Sequence, residues 1–455
     1  MKIIVLLQIF LIWAIVFWVY NLVARRDGRA PIDDIGIWWL SVFLLYSTLP
    51  PLAWLVQGGS YGPLSGRLYN LQPKTQEVIY LLSIALAYIF GFLSVFLVFL
   101  KQVRPPSLAA QAHIGNSKMA GAAVIIFLSS LIGIILSMSG LIRSADSYAD
   151  SYVVAYELPR SLRQLIKIVG GFSTAASLVL IVALFQRWPK YRFIFLCYLF
   201  SIILAINPEG GRGKIVTPLL SLIVAWHVLI RPISNKKVLI GGFFGLLGFL
   251  VLGVLRNIRS LTEVGSVGFE GIGVGEFDAL WANAIELLQE KKIGQININF
   301  ETRFGEILNF VPSQLLWYEK LSLNDWYLNN FYPGLKEETG TGWVFGAISQ
   351  AVIGGGLIEA VIRGVMIGAL AGWLMKWVRK ATTAWWRFPL HLFLLMGVFS
   401  GIRETTFIQF DGLVQVWLIA PILITLIGDS FTKKKDIKND ILKPDPLLSS
   451  RKELI

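Results

Sequence analysis

Runs of about 20 apolar residues recur along this chain, each long enough to cross a hydrocarbon core of roughly 30 Å as a helix. A segment surrounded by lipid must satisfy its backbone hydrogen bonds internally, so such runs admit helices and little else. Eleven are read from the sequence: 3–23, 35–56, 78–100, 119–142, 166–186, 191–206, 215–231, 238–255, 356–378, 388–402 and 411–428. The composition agrees, with 55% of the 455 residues hydrophobic and 15% charged, where soluble domains carry about one quarter charged residues. A single cysteine, Cys197, excludes a disulfide-stapled scaffold. The first run is too long for a cleavable signal peptide, and no small-residue cleavage site follows it. The expected fold class is all-α, a polytopic membrane protein with about 11 transmembrane helices.

Charge sets the orientation. Arg25, Arg26 and Arg29 follow the first span and hold that end in the cytoplasm. With the sides alternating from there, inner segments hold 23 Lys/Arg against 8 Asp/Glu and outer segments 17 against 19. Glu359 and Arg363 fall inside a span. The net charge of +13 is therefore the positive-inside bias of a membrane protein, not a nucleic-acid-binding surface. The N-terminus lies outside and the C-terminus inside. Four regions follow: spans 1–8 over 1–255, a large outer loop over 256–342, a re-entrant-like segment with spans 9–11 over 343–428, and a cytoplasmic basic tail over 429–455. The KKKDIK stretch at 433–438 fits this topology and also suits contact with anionic membrane lipids.

An 87-residue segment without structure of its own would be unusual, so the outer loop 256–342 is expected to fold over the outer face. Residues 276–292 open with acids and close with lysines, as a helix macrodipole favours. Over 301–319, Phe304, Leu308, Val311, Leu315 and Tyr318 recur at three- and four-residue steps, an amphipathic stripe suited to the membrane surface. Rings including Trp317, Tyr318 and Trp326 are interleaved with asparagines over 300–332. Flat apolar faces beside amide donors and acceptors suit sugars, while an interfacial aromatic belt accounts for part of them.

Residues 206–214 read INPEGGRGK and join two spans on the outer side. Glycines ahead of a helix let backbone N–H groups approach an anion, and Arg212 adds a planar fork that matches phosphate oxygens. Alone, this pattern reads as a tight turn with a snorkelling arginine. In company with Arg256, Arg259, Arg303 and Arg403, all at outer helix mouths where few cations are expected, it points to a pocket for an anionic substrate. Glu209, Glu301, Glu306 and Glu404 lie near these arginines. Each is either an arginine's structural partner or a general base, and Glu404, next to Arg403 at a span end, is the best-placed base. Arg403 is expected to keep it ionised. The i,i+4 pair Glu359 and Arg363 reads as a buried self-neutralising pair. His113, His227 and His391 fall in an inner loop or the inner parts of spans. Outer metal-ligand clusters and Walker or Rossmann glycine patterns are lacking, so neither a metal nor another cofactor is expected.

The turn GGRGK at 210–214, the long outer loop late in the chain and the segment GTGWVFGAISQAVIGGGLIEAVIRG at 340–364 resemble the Wzy-type O-antigen (oligosaccharide repeat unit) polymerases of bacterial inner membranes. The last segment is similar to that family's G-x-G-x-S-like stretch, a half-entering piece followed by a glycine-rich span. Trp343, Phe345 and Gly346 stand where the family is loosely patterned. The resemblance implies a periplasmic-face glycosyltransferase whose donor and acceptor are undecaprenyl-diphosphate-linked glycans. It implies a chain-length regulator and a flippase as further partners, and activity dependent on Arg212, Arg303 and Arg403. In these terms Glu404, Arg212 and Arg403 are the catalytic candidates. Arg303, Arg256, Arg259, Glu209, Glu306, Trp317, Tyr318 and Trp326 are the substrate-binding candidates. A pyrophosphate leaving group needs positive charge, which arginines supply without a metal. Two alternatives remain in view: a lipid-linked oligosaccharide flippase or other transporter, against which the few intramembrane charges and the lack of inverted repeats weigh, and an O-antigen ligase, whose family looks to a periplasmic histidine that this chain lacks. A periplasm-dependent reporter is expected to be silent when joined after Arg451 and active when joined within 256–342. Activity after Arg451 overturns this orientation.

Overall fold

The computed structural model describes residues 1–56, 73–102, 113–139, 158–187, 190, 193, 213–245, 276–294, 296, 298, 303, 305–308, 311, 322–334, 345–380, 384–407 and 413–441. Every labelled element is helical: α1 (Lys2–Asp27), α2 (Ile35–Val56), α3 (Thr75–Gln102), α4 (Asn116–Met138), α5 (Arg160–Gln186), α6 (Gly213–Leu229), α7 (Glu276–Ile293), α8 (Leu323–Phe331), α9 (Ala347–Ile353), α10 (Leu357–Arg379), α11 (Arg387–Arg403) and α12 (Ala420–Ile441). A 3-10 turn occupies Gly305–Leu308 and a π turn Leu413–Trp417. Among the described residues seven helices are long and apolar enough to cross a membrane: α1 to α5, α10, and the π turn running into α12. The helices α6 and α11, each 17 residues, lie over the apolar runs at 215–231 and 388–402. The run at 191–206 and most of that at 238–255 lie outside the described residues, so seven spans stand where eleven were read.

The tightest packing joins α3 and α10. Bilayer helices gain little from the hydrophobic effect against one another, so small residues that let backbones touch take over that role. A Cβ added at Gly364 would strike the Tyr88 carbonyl oxygen, one at Gly368 the Phe92 carbonyl, and one at Gly91 the Val361 carbonyl. From Gly364 against Tyr88, through Gly368 against Phe92, to Gly372 against Phe99, the pairings advance together along both helices, so α3 and α10 run parallel and begin at the same end of the bundle. The helix α2 closes on the same pair through rings: Trp39 stacks on Phe43 at 4.7 Å and on Phe92 at 4.8 Å. The helices α4 and α12 pack antiparallel by the same means, with Gly121 against Ile424 and Gly428 against Ser117, and Asp429 takes the Lys118 ammonium at 2.9 Å.

Charge pins the far end of α10. Arg379 meets Asp27 at 2.8 Å, while Asp33 takes Arg29 at 2.8 Å and offers its carbonyl to His391 Nε2 at 2.7 Å. At the near end, α7 lies over the starts of α3 and α10. Its ends match the helix expected over 276–292, and it is largely buried. Gln289 and Lys292 each reach the Glu77 carboxylate at 3.0 Å, and Trp281 donates to the Tyr46 carbonyl at 2.8 Å. Most of the amphipathic stripe over 301–319 lies outside the described residues, but Glu306 points inward and is buried instead of lying along a surface.

The α3–α10 contact generates a pair of expectations. Gly364→Val should cost at least about 1–3 kcal/mol through overpacking against backbone that cannot move aside. Gly133→Ala on α4, where an added Cβ meets nothing within 4 Å, should stay within about 0.5 kcal/mol of the parent. Thermal unfolding of the purified proteins in detergent checks both. Equal midpoints for Gly364→Val and the parent would remove this contact as the organising one.

Candidate active site at the start of α10

The site begins at the short helix α9. The seven residues of α9 are all buried, and the helix ends in Gly354, Gly355 and Gly356 before α10 starts. A Cβ at 354 would overlap the Glu359 carboxylate, so a side chain there would displace Glu359 from its present place. The entry to α9 is anchored by the Gly346 N–H, which donates to the Glu404 carbonyl at 2.9 Å and so ties α9 to the end of α11.

Two turns into α10, Arg363 sits at the centre of a buried polar network. Its guanidinium donates to Glu306 at 2.5 Å, to Glu359 at 2.8 Å and to the Thr406 hydroxyl at 3.2 Å. Glu306 also accepts from the Gln350 amide at 3.1 Å and the Phe407 N–H at 3.2 Å. Gln350 in turn accepts from the Thr406 hydroxyl at 2.6 Å, and Tyr88 on α3 closes the ring at 3.2 Å from Thr406. Glu359 accepts the Gly355 N–H at 2.9 Å and pairs with Arg303. Five separate segments therefore meet at one guanidinium. Buried ions persist only when paired and hydrogen-bonded, and here two arginines face two glutamates. Lys291 adds one positive charge beside them, donating to the Val352 and Gly354 carbonyls at 2.7 and 2.6 Å, and burial together with Arg303 pulls its pKa below the usual range. The Arg303 side chain is 30% exposed against 5% for Glu359, so it forms the outward edge of the network.

Two residues before Thr406, Glu404 caps α11. Burial raises the pKa of its carboxyl, an effect that Arg403 and Lys167 only partly offset. The expectation that Arg403 keeps it readily ionised is thereby corrected: removal from water outweighs the neighbouring charge, and Glu404 holds a proton more strongly than an ordinary carboxylate. The Arg403 guanidinium lies 5.9 Å from the Phe399 ring centroid. Glu306 serves as partner to Arg363, the structural alternative for that residue, and has no exposed oxygen edge to offer a sugar. Trp326 on α8 is buried and packs edge-on to Phe331 at 6.0 Å, so it belongs to an aromatic cluster in which Tyr332 holds buried Glu286 at 2.9 Å. Arg212, Arg256, Arg259, Glu209, Trp317 and Tyr318 lie outside the described residues. Among the described residues no three His, Cys, Asp or Glu side chains converge to hold a metal ion.

Sequence reasoning missed Tyr88, Lys291, Gln350 and Thr406, and it read Glu359 with Arg363 as a closed pair. The overlooked signal was the position of that pair, since an ionisable residue inside a span is by default a functional candidate.

An all-helical bundle with several helices long and apolar enough to cross a membrane, holding a charged network where a short buried helix meets one of them, defines a multi-pass integral membrane protein with a charged site at the end of a span. The chain belongs to the O-antigen polysaccharide polymerase Wzy family, whose model matches residues 2–435, nearly its whole length. No curated protein and no solved structure matches it. The family places it in lipopolysaccharide biosynthesis as an enzyme of the polymerase and glycosyltransferase kind.

Breaking the network on one side should be worse than removing both partners. Arg363→Met, which strands Glu306 and half of Glu359, is expected to cost about 3–5 kcal/mol. Adding Glu306→Gln should recover a substantial part, because the amide keeps the Gln350 and Phe407 contacts without a buried charge. Unfolding midpoints of the two singles and the double form the test. Strict additivity would show that the two residues do not act as a pair.

Proposed function

We propose that this polymerase joins undecaprenyl-diphosphate-linked repeat units at the periplasmic face of the bacterial inner membrane, without a metal. The observation that carries this reading is Arg303, held by Glu359 at the rim of an otherwise buried network, directly beside the re-entrant turn. A guanidinium anchored at the edge of the bilayer is suited to the diphosphate of a lipid substrate, whose glycan extends into water. In the transfer, an acceptor hydroxyl oxygen bonds to the anomeric carbon of the donor as the bond from that carbon to the phosphate oxygen breaks. The electron pair leaves with the polyprenyl diphosphate, whose charge Arg303, Arg403 and Arg212 stabilise. The hydroxyl proton passes to Glu404, which burial makes a stronger base than a free carboxylate. Arg256, Arg259, Trp317 and Tyr318 from the outer loop and Glu209 from the turn at 206–214 provide further contacts to diphosphate and sugar, while Trp326 packs in its aromatic cluster.

The helix directions support the periplasmic placement. Parallel α3 and α10 require an odd number of crossings between them, and the five apolar runs from 119 to 255 satisfy that. With the arginine-rich turn after α1 in the cytoplasm, α10 then begins at the periplasmic side, as does the charged network.

Glu404→Gln tests the chemistry, since it keeps the shape and removes the base. Turnover of purified protein on lipid-linked repeat units is expected to fall roughly a hundredfold while substrate binding is kept. In the parent, kcat should drop as pH falls through the raised pKa of Glu404, because only the deprotonated form accepts the proton, and this acid limb should vanish in the variant. Normal turnover in Glu404→Gln overturns the assignment of the base, and lost binding makes Glu404 a binding residue.

A further inference from the structure

One cavity of the bundle is not used by the chemistry above. An apolar groove with a cavity volume of about 100 Å³ runs between α2, α10, α11 and the π turn. Its upper end is formed by Thr406 and Phe407, the same two residues that contribute a hydroxyl and an N–H to the network around Arg363. From there it descends along α10 past Ile367 and Ala371 to Leu374, where Ile35 of α2 closes it. Leu374 lies 11 residues beyond Arg363, about 16 Å along the helix, or half the depth of a hydrocarbon core. Apart from Thr406, the side chains that line it are apolar. Its lining includes Trp373, which is 52% exposed on α10, a helix long and apolar enough to cross a membrane, so the groove reaches the outer surface of that helix.

We infer that this groove holds the polyisoprenoid tail of the diphosphate lipid, seating its first isoprene units below the network while the diphosphate meets Arg303. The inference rests on the lipid-linked reading of the substrate and adds where its tail lies. Continuity selects the occupant: Thr406 is at once a wall of the groove and a member of the charged network, so one molecule with an anionic head and a single apolar chain spans both. The Trp373 indole and the Phe407 ring offer flat apolar contacts to a methyl-branched, unsaturated chain, and Trp39, stacked between Phe43 and Phe92, adds its edge. The tail reaches the groove from lipid and not from water, so the groove holds it through van der Waals fit to its apolar walls, a contribution that does not depend on the sugars.

The test uses the full-length chain in phospholipid nanodiscs and a polyprenyl diphosphate that carries a diazirine in its first isoprene units. After irradiation, the label is expected on residues 367–374 of α10 and 394–401 of α11, displaced by unlabelled undecaprenyl diphosphate but not by added phospholipid. Ala371→Phe, which fills the middle of the groove, should cut this labelling by roughly tenfold or more, a loss of about 1.4 kcal/mol of tail binding. Labelling spread over the lipid-facing sides of α1 and α4, or displacement by phospholipid, overturns the groove, and the parent's map decides this even if the variant does not fold. The two readings fail separately. Labelling in the groove by a protein that never extends a glycan keeps the tail site and removes the polymerase mechanism, whereas extension without labelling there removes the tail site alone.

Discussion

The close approach of α3 and α10 is the contact on which the rest of the molecule depends. In water, two apolar helices are driven together by the solvent; in a bilayer, the lipid tails are as apolar as the side chains. What remains is the van der Waals contact of backbone on backbone, which only glycine permits at 91, 364 and 368. That contact fixes the axial register of the two helices, and the register sets Tyr88 across from the Arg363 region, where both reach Thr406. A shift of one residue in either helix would turn Arg363 about a quarter turn or more away from its partners.

Electrostatics then fastens what packing has placed. At its start α10 carries Glu359 and Arg363, bound to segments from α9, the 3-10 turn and the end of α11. At its end Arg379 meets Asp27 of α1 at 2.8 Å. Buried ion pairs are a poor source of net stability, because desolvation offsets most of their attraction. Their directional bonds nonetheless exclude other arrangements at low local dielectric, and they hold α10 rigidly between two charged ends. A rigid span end suits the proposed transfer, in which two substrate groups must be brought together.

The helix α9 and the glycine turn after it set the site against the start of α10. A seven-residue helix is too short to cross a bilayer, and all seven of its residues are buried in the protein. It supplies Gln350 from beneath and connects through Gly346 to the residue that carries the candidate base. The network, the base and the apolar groove thus share one short stretch, 403–407, at the end of α11.

Much of this was legible in the chain itself. The apolar runs specified helices because lipid offers no partner to an open backbone, and the order of acids and lysines marked α7 to within a residue. The Glu359 and Arg363 spacing announced a charge pair on one helix face, and the glycines at 364, 368 and 372 announced a close helix contact that was not read as one. Tertiary structure alone decided which helix that contact would meet. It also decided that Glu306, far away in sequence, would turn inward to complete the pair, and that Glu404 would be partly withdrawn from water, which raises its pKa. The reason is physical: periodicity records how a residue relates to its own helix axis, whereas desolvation and convergence depend on what other segments bring to the same few ångströms.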